Sequence, residues 1–171
     1  MQDGSAEAEP VVAELWTTLA HVSEWVRFAD TKAAATLTVD GILATVLVTV
    51  FSQSKVTHRV AIYLPLGISA VFIAVSAVMS MLCLVPRLTV EPSANSIYFM
   101  KIAAFPSAQH YFGHVRAVTQ TQGFGQELAG EIWLRSRAAR AKYRYVQLSL
   151  LTLGAALVAA AAVGTAAVVL G

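Results

Sequence analysis

A single cysteine, Cys83, occurs in the 171 residues, so no intrachain disulfide can form. Charge is equally scarce. Only 13% of residues are Asp, Glu, Lys or Arg, against roughly 25% in ordinary soluble domains. The N-terminus is acidic at Asp3, Glu7 and Glu9, and its first long apolar run begins only after Lys32. A signal peptide needs a basic start followed soon by an apolar core, so none is expected. There is no P-loop, no dinucleotide fingerprint and no nucleophile elbow, and no enzyme is expected. His110 and His114 stand four apart on one helix but lack further ligands near in sequence, and the zinc-protease pattern is absent. No metal site is expected.

What the chain has instead is apolar length. Hydrophobic residues make up 57% of it and the mean hydropathy is +0.64. The centre of the pattern is Glu24 to Gln53, where an amphipathic helix passes directly into a hydrophobic run. The twenty residues 34–53 carry one charge, Asp40, and at about 1.5 Å each they cover a ~30 Å hydrocarbon core. Ahead of them, Leu15, Leu19, Val22, Val26, Ala29 and Ala33 step by four and three, one stripe of a helix over 11–33. That spacing also fits a coiled-coil seam. Trp25 and Phe28 lie near enough to the run to anchor it at the interface. Residues 1–10 are small, polar and acidic, and are expected to form a disordered tail.

A second run, 60–85, has no charge and stops at Pro86-Arg87; a third, 146–171, is rich in Ala and Gly. The fold class is therefore an all-α membrane protein with three transmembrane helices and a small cytoplasmic helical bundle. The region 86–145 reads as helical hairpins. Glu91 to Asn95 is a turn, Ser96 to Phe105 a short helix or loop, and a helix runs from Pro106-Ser107 to about Gln120. Gln122 to Gly125 is a break, and a last helix starts near Gln126. Leu128, Ile132, Ala139, Tyr143 and Val146 give that helix an apolar stripe. Ten of the twelve Lys and Arg precede the first span or lie between the second and third. Positive-inside bias then places the N-terminus and residues 86–145 in the cytoplasm, with the C-terminus outside.

Asp40 lies about 9 Å into the membrane by helix rise. A charged Asp near the bilayer centre costs roughly 2.5–3.5 kcal/mol on insertion scales, so it should be neutral or partnered. Equal depth brings Ser76, Ser80 and Thr152 alongside it. One reading is a polar point in an aqueous path built by several protomers, with a homo-oligomer as the expected assembly. The other is a hydrogen bond locking the spans together. Just before the third span, Arg135, Arg137, Arg140, Lys142 and Arg144 put five basic residues in ten. They can set topology and attract anionic headgroups, or form a phosphate-binding surface. At ~100° per residue, Arg137, Arg140 and Arg144 share one face, and Arg135 and Lys142 another. In the third span, Ala156, Ala160 and Gly164 form a small-residue ridge that allows close helix approach, within one chain or between protomers.

Three segments carry a family resemblance. Phe28-Ala29-Asp30-Thr31-Lys32-Ala33 leads into the first span, and Ser96-Ile97-Tyr98-Phe99 is followed by Ile102-Ala103. Ala138-Ala139-Arg140-Ala141-Lys142-Tyr143-Arg144 then enters the last span. In this order, over roughly residues 25–153, the chain resembles the transmembrane effectors of the Pycsar antiphage systems. The resemblance implies an abortive-infection effector in the bacterial inner membrane. It also implies a partner pyrimidine cyclase, whose product, cyclic CMP or cyclic UMP, is the activating ligand; once activated, the effector impairs membrane integrity. No nucleic-acid polymer is an expected partner, and no other cofactor. Residues 86–145 show neither strand alternation nor a Gly-rich phosphate loop, so sensing is expected to run through a helical surface, with Arg137, Arg140 and Arg144 as its candidates. The alternative is a passive anchor or scaffold that recruits a cytoplasmic protein.

Overall fold

The computed structural model describes residues 3–53, 59–85, 99–120 and 123–170. Among them it has five helices and no strand: α1 Asp3–Gln53, α2 Arg59–Leu84, α3 Phe99–Ala104, α4 Ala108–Gln120 and α5 Phe124–Leu170. Three are long and apolar enough to cross a membrane, within Pro10–Ser52, Tyr63–Leu84 and Phe124–Thr165. The connection after Gln53, the turn at Glu91 to Asn95 and the segment Ser96-Ile97-Tyr98 lie outside the described residues.

Two boundaries differ from the sequence reading. Helix α1 already begins at Asp3 and holds Pro10 inside it, where a disordered tail was expected. Ala6, Glu7, Ala8 and Glu9 are residue types of high helix propensity. The missing N–H of Pro10 removes one bond near the start of a very long helix. Of the break expected over Gln122 to Gly125, Gln122 lies outside the described residues, Gly123 is a turn, and Phe124 and Gly125 already belong to α5. The Gly123 N–H donates to the Val118 carbonyl of α4 at 3.2 Å, and its carbonyl accepts from the Glu127 N–H of α5 at 3.1 Å, so Gly123 bonds to both helices.

The chain divides into two compact units. Unit 1 comprises residues 1–27 and 86–140. Leu19 and Val22 of α1 and Leu128 and Ala139 of α5 are its buried apolar residues. Trp16 packs on Phe124 with ring centroids 6.1 Å apart. Around the start of α4, Phe105 meets Tyr111 and His114 at 5.4 and 5.3 Å. Ser107 is the N-cap: His110 N–H reaches its Oγ at 3.4 Å, and His110 Nδ1 lies 2.8 Å from the same oxygen.

Unit 2 comprises residues 28–85 and 141–171 and is a three-helix bundle. Ala29 and Ala33 of α1, Cys83 of α2 and Val146 of α5 form one buried cluster. Leu47, Ile73 and Ala156 form a second. The small residues let the backbones approach; the Ser69 hydroxyl donates to the Ala156 carbonyl at 2.9 Å. The ridge of small residues is only partly used within the chain. Ala156 is fully buried, whereas a Cβ added at Gly164 would meet nothing within 4 Å.

Candidate functional site

The interior of unit 2 is a polar seam. Spacings of seven and four along α2 bring Ser69, Ser76 and Ser80 to one face, and all three are fully buried. Asp40 of α1 meets this face at Ser76 and is 2% exposed. Ser76 Oγ lies 2.9 Å from Asp40 Oδ2 and 3.0 Å from the Ser149 carbonyl oxygen of α5, so one hydroxyl touches both neighbouring helices. Ser80 Oγ and Asp40 Oδ1 are buried without a hydrogen-bond partner among the described residues. Thr152 does not join this group. It is half-buried, and its hydroxyl oxygen lies 2.9 and 3.0 Å from the Leu148 and Ser149 carbonyls of its own helix. Depth counting along the sequence missed Ser149, Ser69 and Thr36, each buried. The repeated Ser along one face of an otherwise apolar span was the signal for Ser69. Ser149 has no such pattern, since it enters through its carbonyl.

At one end of unit 2, the two charged motifs flanking the spans pair with each other. Lys142 Nζ donates to Asp30 Oδ1, and Lys32 Nζ sits 5.8 Å from the centroid of the Tyr143 ring. Cys83 Sγ is 3.9 Å from the Ala29 carbonyl and 4.0 Å from Asp30 Oδ1. Ala29 and Ala33, on the same turns, are the close-packed residues of the cluster behind this pair. A helix carrying Ala-Asp-Thr-Lys-Ala is thus clasped to one carrying Ala-Lys-Tyr.

The basic stretch of α5 sorts into inward and outward groups. In unit 1, Arg135 Nε donates to Glu131 Oε1 at 2.6 Å and its Nη1 to Ser23 Oγ of α1 at 2.8 Å. Glu131 is only 2% exposed, and the sequence reading missed it because a Glu between Leu128 and Ile132 reads as a wet position. Arg137 is exposed and lies over the exposed ring of Trp133, 4.8 Å from its centroid. Arg140 is exposed and forms no ion pair among the described residues. In unit 2, Lys142 is taken by Asp30, while Arg144 is exposed and likewise without an ion pair. Among the described residues no group of three or more His, Cys, Asp or Glu could hold a metal ion. His110 is engaged by Ser107, and His114 Nε2 stands 3.9 Å from Glu127 Oε1.

Three apolar spans, a clasp between the motifs that flank them and exposed arginines on α5 fit several kinds of membrane protein. Comparison with known families decides which. Residues 14–170 match the family described as the Pycsar effector protein domain. The chain belongs to that family. It is also 26% identical over 144 residues to the Pycsar effector protein PtPycTM of Propioniciclava tarda, covering 81% of this chain and 71% of that protein. No solved structure matches. With three helices fit to span a bilayer, this Pycsar effector is a transmembrane protein of antiviral defence. Its Asp30–Lys142 pair links two of the segments that carried the resemblance.

Proposed function

We propose that this effector is switched on by a cyclic pyrimidine nucleotide, cyclic CMP or cyclic UMP, made by a partner pyrimidine cyclase. It then impairs the integrity of the bacterial inner membrane. The observation that carries this reading is the sorting of the basic residues on α5. Arg135 and Lys142 are consumed by structural partners; Arg137, Arg140 and Arg144 are presented outward. A patch that only set topology or attracted lipid would depend on charge number, not on direction. A phosphate site needs guanidinium forks with free N–H edges. Stacking on Trp133 orients the Arg137 fork, and the exposed indole offers a surface on which a pyrimidine can stack. Arg140 follows one turn later, and Arg144 joins by helical spacing.

The reading includes a cytoplasmic N-terminus and cytoplasmic residues 86–145, from the bias of Lys and Arg. A reporter active only in the periplasm should work when fused after Gly171 and fail after Gln122; the reverse result removes the sensor from the cyclase's compartment. The messenger test compares R137K/R140K/R144K with R116K, an exposed Arg of α4. Purified effector in proteoliposomes is titrated with cyclic CMP and cyclic UMP while a potential-sensitive dye is followed. The triple Lys variant should insert normally and lose the nucleotide response, whereas R116K should respond like the parent. Equal responses would leave this patch a topological and lipid-binding role. A parent that binds neither nucleotide would favour a passive anchor.

A further inference from the structure

The polar seam in unit 2 contains one hydrogen too few if Asp40 is ionised. A serine hydroxyl carries a single hydrogen, and a carboxylate oxygen and a peptide carbonyl oxygen are both acceptors only. Yet Ser76 Oγ lies within hydrogen-bond distance of both, 2.9 Å from Asp40 Oδ2 and 3.0 Å from the Ser149 carbonyl. With Asp40 charged, one of those oxygen pairs has at most a shared hydrogen, and two lone-pair-bearing atoms face each other inside a low-dielectric bundle. The second oxygen, Oδ1, makes matters worse for the charged form. It is buried and has no donor among the described residues, and an unpartnered carboxylate oxygen is far costlier than an unpartnered neutral carbonyl.

We propose that Asp40 is a proton-binding site, a neutral carboxylic acid whose Oδ2–H donates to Ser76 Oγ, while Ser76 donates to the Ser149 carbonyl. The bound proton completes a directional chain from α1 through α2 to α5. Both contacts then hold one hydrogen each, and Oδ1 becomes the carbonyl oxygen of an uncharged acid. Among the described residues Asp40 makes no ion pair, and Arg144, the nearest cation before Ser149 on α5 at about 7.5 Å by helix rise, is exposed. Ser76 and Ser80 line the site from α2 and Ser149 from α5, with Thr36 one turn away on α1, and none of these ionises. The closest charges in sequence on α1, Lys32 and Asp30, are about 12 and 15 Å away by helix rise, and they are engaged with Tyr143 and Lys142. Loss of the proton would turn the Ser76 hydrogen toward Asp40 and release the carbonyl of α5, so one of the contacts that hold the third span to the other two depends on a proton.

The chain has three Asp residues, Asp3, Asp30 and Asp40, and only Asp40 lies inside a span. Full-length effector labelled with carboxyl-13C aspartate, reconstituted in lipid bilayers at pH 7, should show an isotope-shifted carboxylic-acid C=O band in the infrared from one residue of the three. The band should vanish in Asp40→Asn and move to higher frequency in Ser76→Ala, where the acid loses its acceptor. A labelled parent with no protonated aspartate band overturns the proposal, and that result needs no variant to fold. A band that survives Asp40→Asn, or is unmoved by Ser76→Ala, overturns it equally.

Discussion

Both units of this effector bury polar side chains, and they satisfy them by different chemistry. Unit 1 buries a carboxylate, Glu131, against a guanidinium that also reaches Ser23 across to α1. Unit 2 buries hydroxyls, at Thr36, Ser69, Ser76, Ser80 and Ser149, around one acid with no cation beside it. The difference follows the solvent each surface meets. In unit 1 the burial of Leu19, Val22 and Leu128 releases water and stabilises by roughly 1.5–3 kcal/mol per side chain. That is enough to carry the desolvation of one well-bonded ion pair. In a bilayer the surrounding tails are as apolar as Leu itself, so apolar burial in unit 2 drives little association. There, close contact at Ala29, Ala33 and Ala156 and short hydrogen bonds between helices have to hold the bundle.

The largest expected break in this contrast is in unit 1. Arg135→Ala leaves Glu131 buried without its partner and should cost about 3 kcal/mol, the low end for a buried pair because Arg135 is itself partly in water. Denaturant unfolding in detergent, with hydrogen exchange at the amides around Leu128 and Leu19, reads the loss. Replacing both partners, Glu131→Leu with Arg135→Met, should recover most of it; a double variant as weak as the single one would show that the pair is worth more than apolar packing.

In unit 2 the effect should be smaller. Asp40→Asn keeps a donor toward Ser76 and should stay within about 0.5 kcal/mol of the parent, while Asp40→Leu should lose about 1–2 kcal/mol, the scale of one hydrogen bond between membrane helices. Membrane abundance and reversible unfolding in bilayers measure both. Asp40→Leu with normal abundance and normal killing would remove the seam from both stability and function.

The clasp sits between these cases. Asp30 and Lys142 are only partly covered, so Lys142→Ala should cost about 0.5–1 kcal/mol and less at high salt. A double-mutant cycle with Asp30→Ala isolates the pair; a coupling near zero would leave the motif's role to the packing of Ala29 and Ala33. The smallest change is Gly164→Ala. Among the described residues the added methyl meets nothing within 4 Å, so its stability should shift by less than about 1 kcal/mol, toward the helix. A strong loss of crosslinked oligomer or of killing at unchanged stability would place that face between copies of the effector.

Much of this architecture could be read from composition and period. Uncharged runs of twenty or more residues leave a helical span as the solution that satisfies every backbone N–H and C=O in lipid. The spacing Leu19, Val22, Ala29, Ala33 selects the buried face of α1 without any knowledge of its neighbours. Even the separation of Arg137, Arg140 and Arg144 from Arg135 and Lys142 follows from 100° per residue. Partnership is another matter. Period names a face, but the axial offset and rotation between two helices decide which turn meets which, and a slip of one residue moves a side chain by about 1.5 Å. So Ser76 finds Asp40 while Thr152, at similar counted depth, bonds only to its own helix. Ser149 takes part through a backbone oxygen, which has no letter in the sequence. Glu131 was hidden because burial of a carboxylate depends on Arg135 and Ser23 arriving from one turn and one helix away, and only the packed structure brings them.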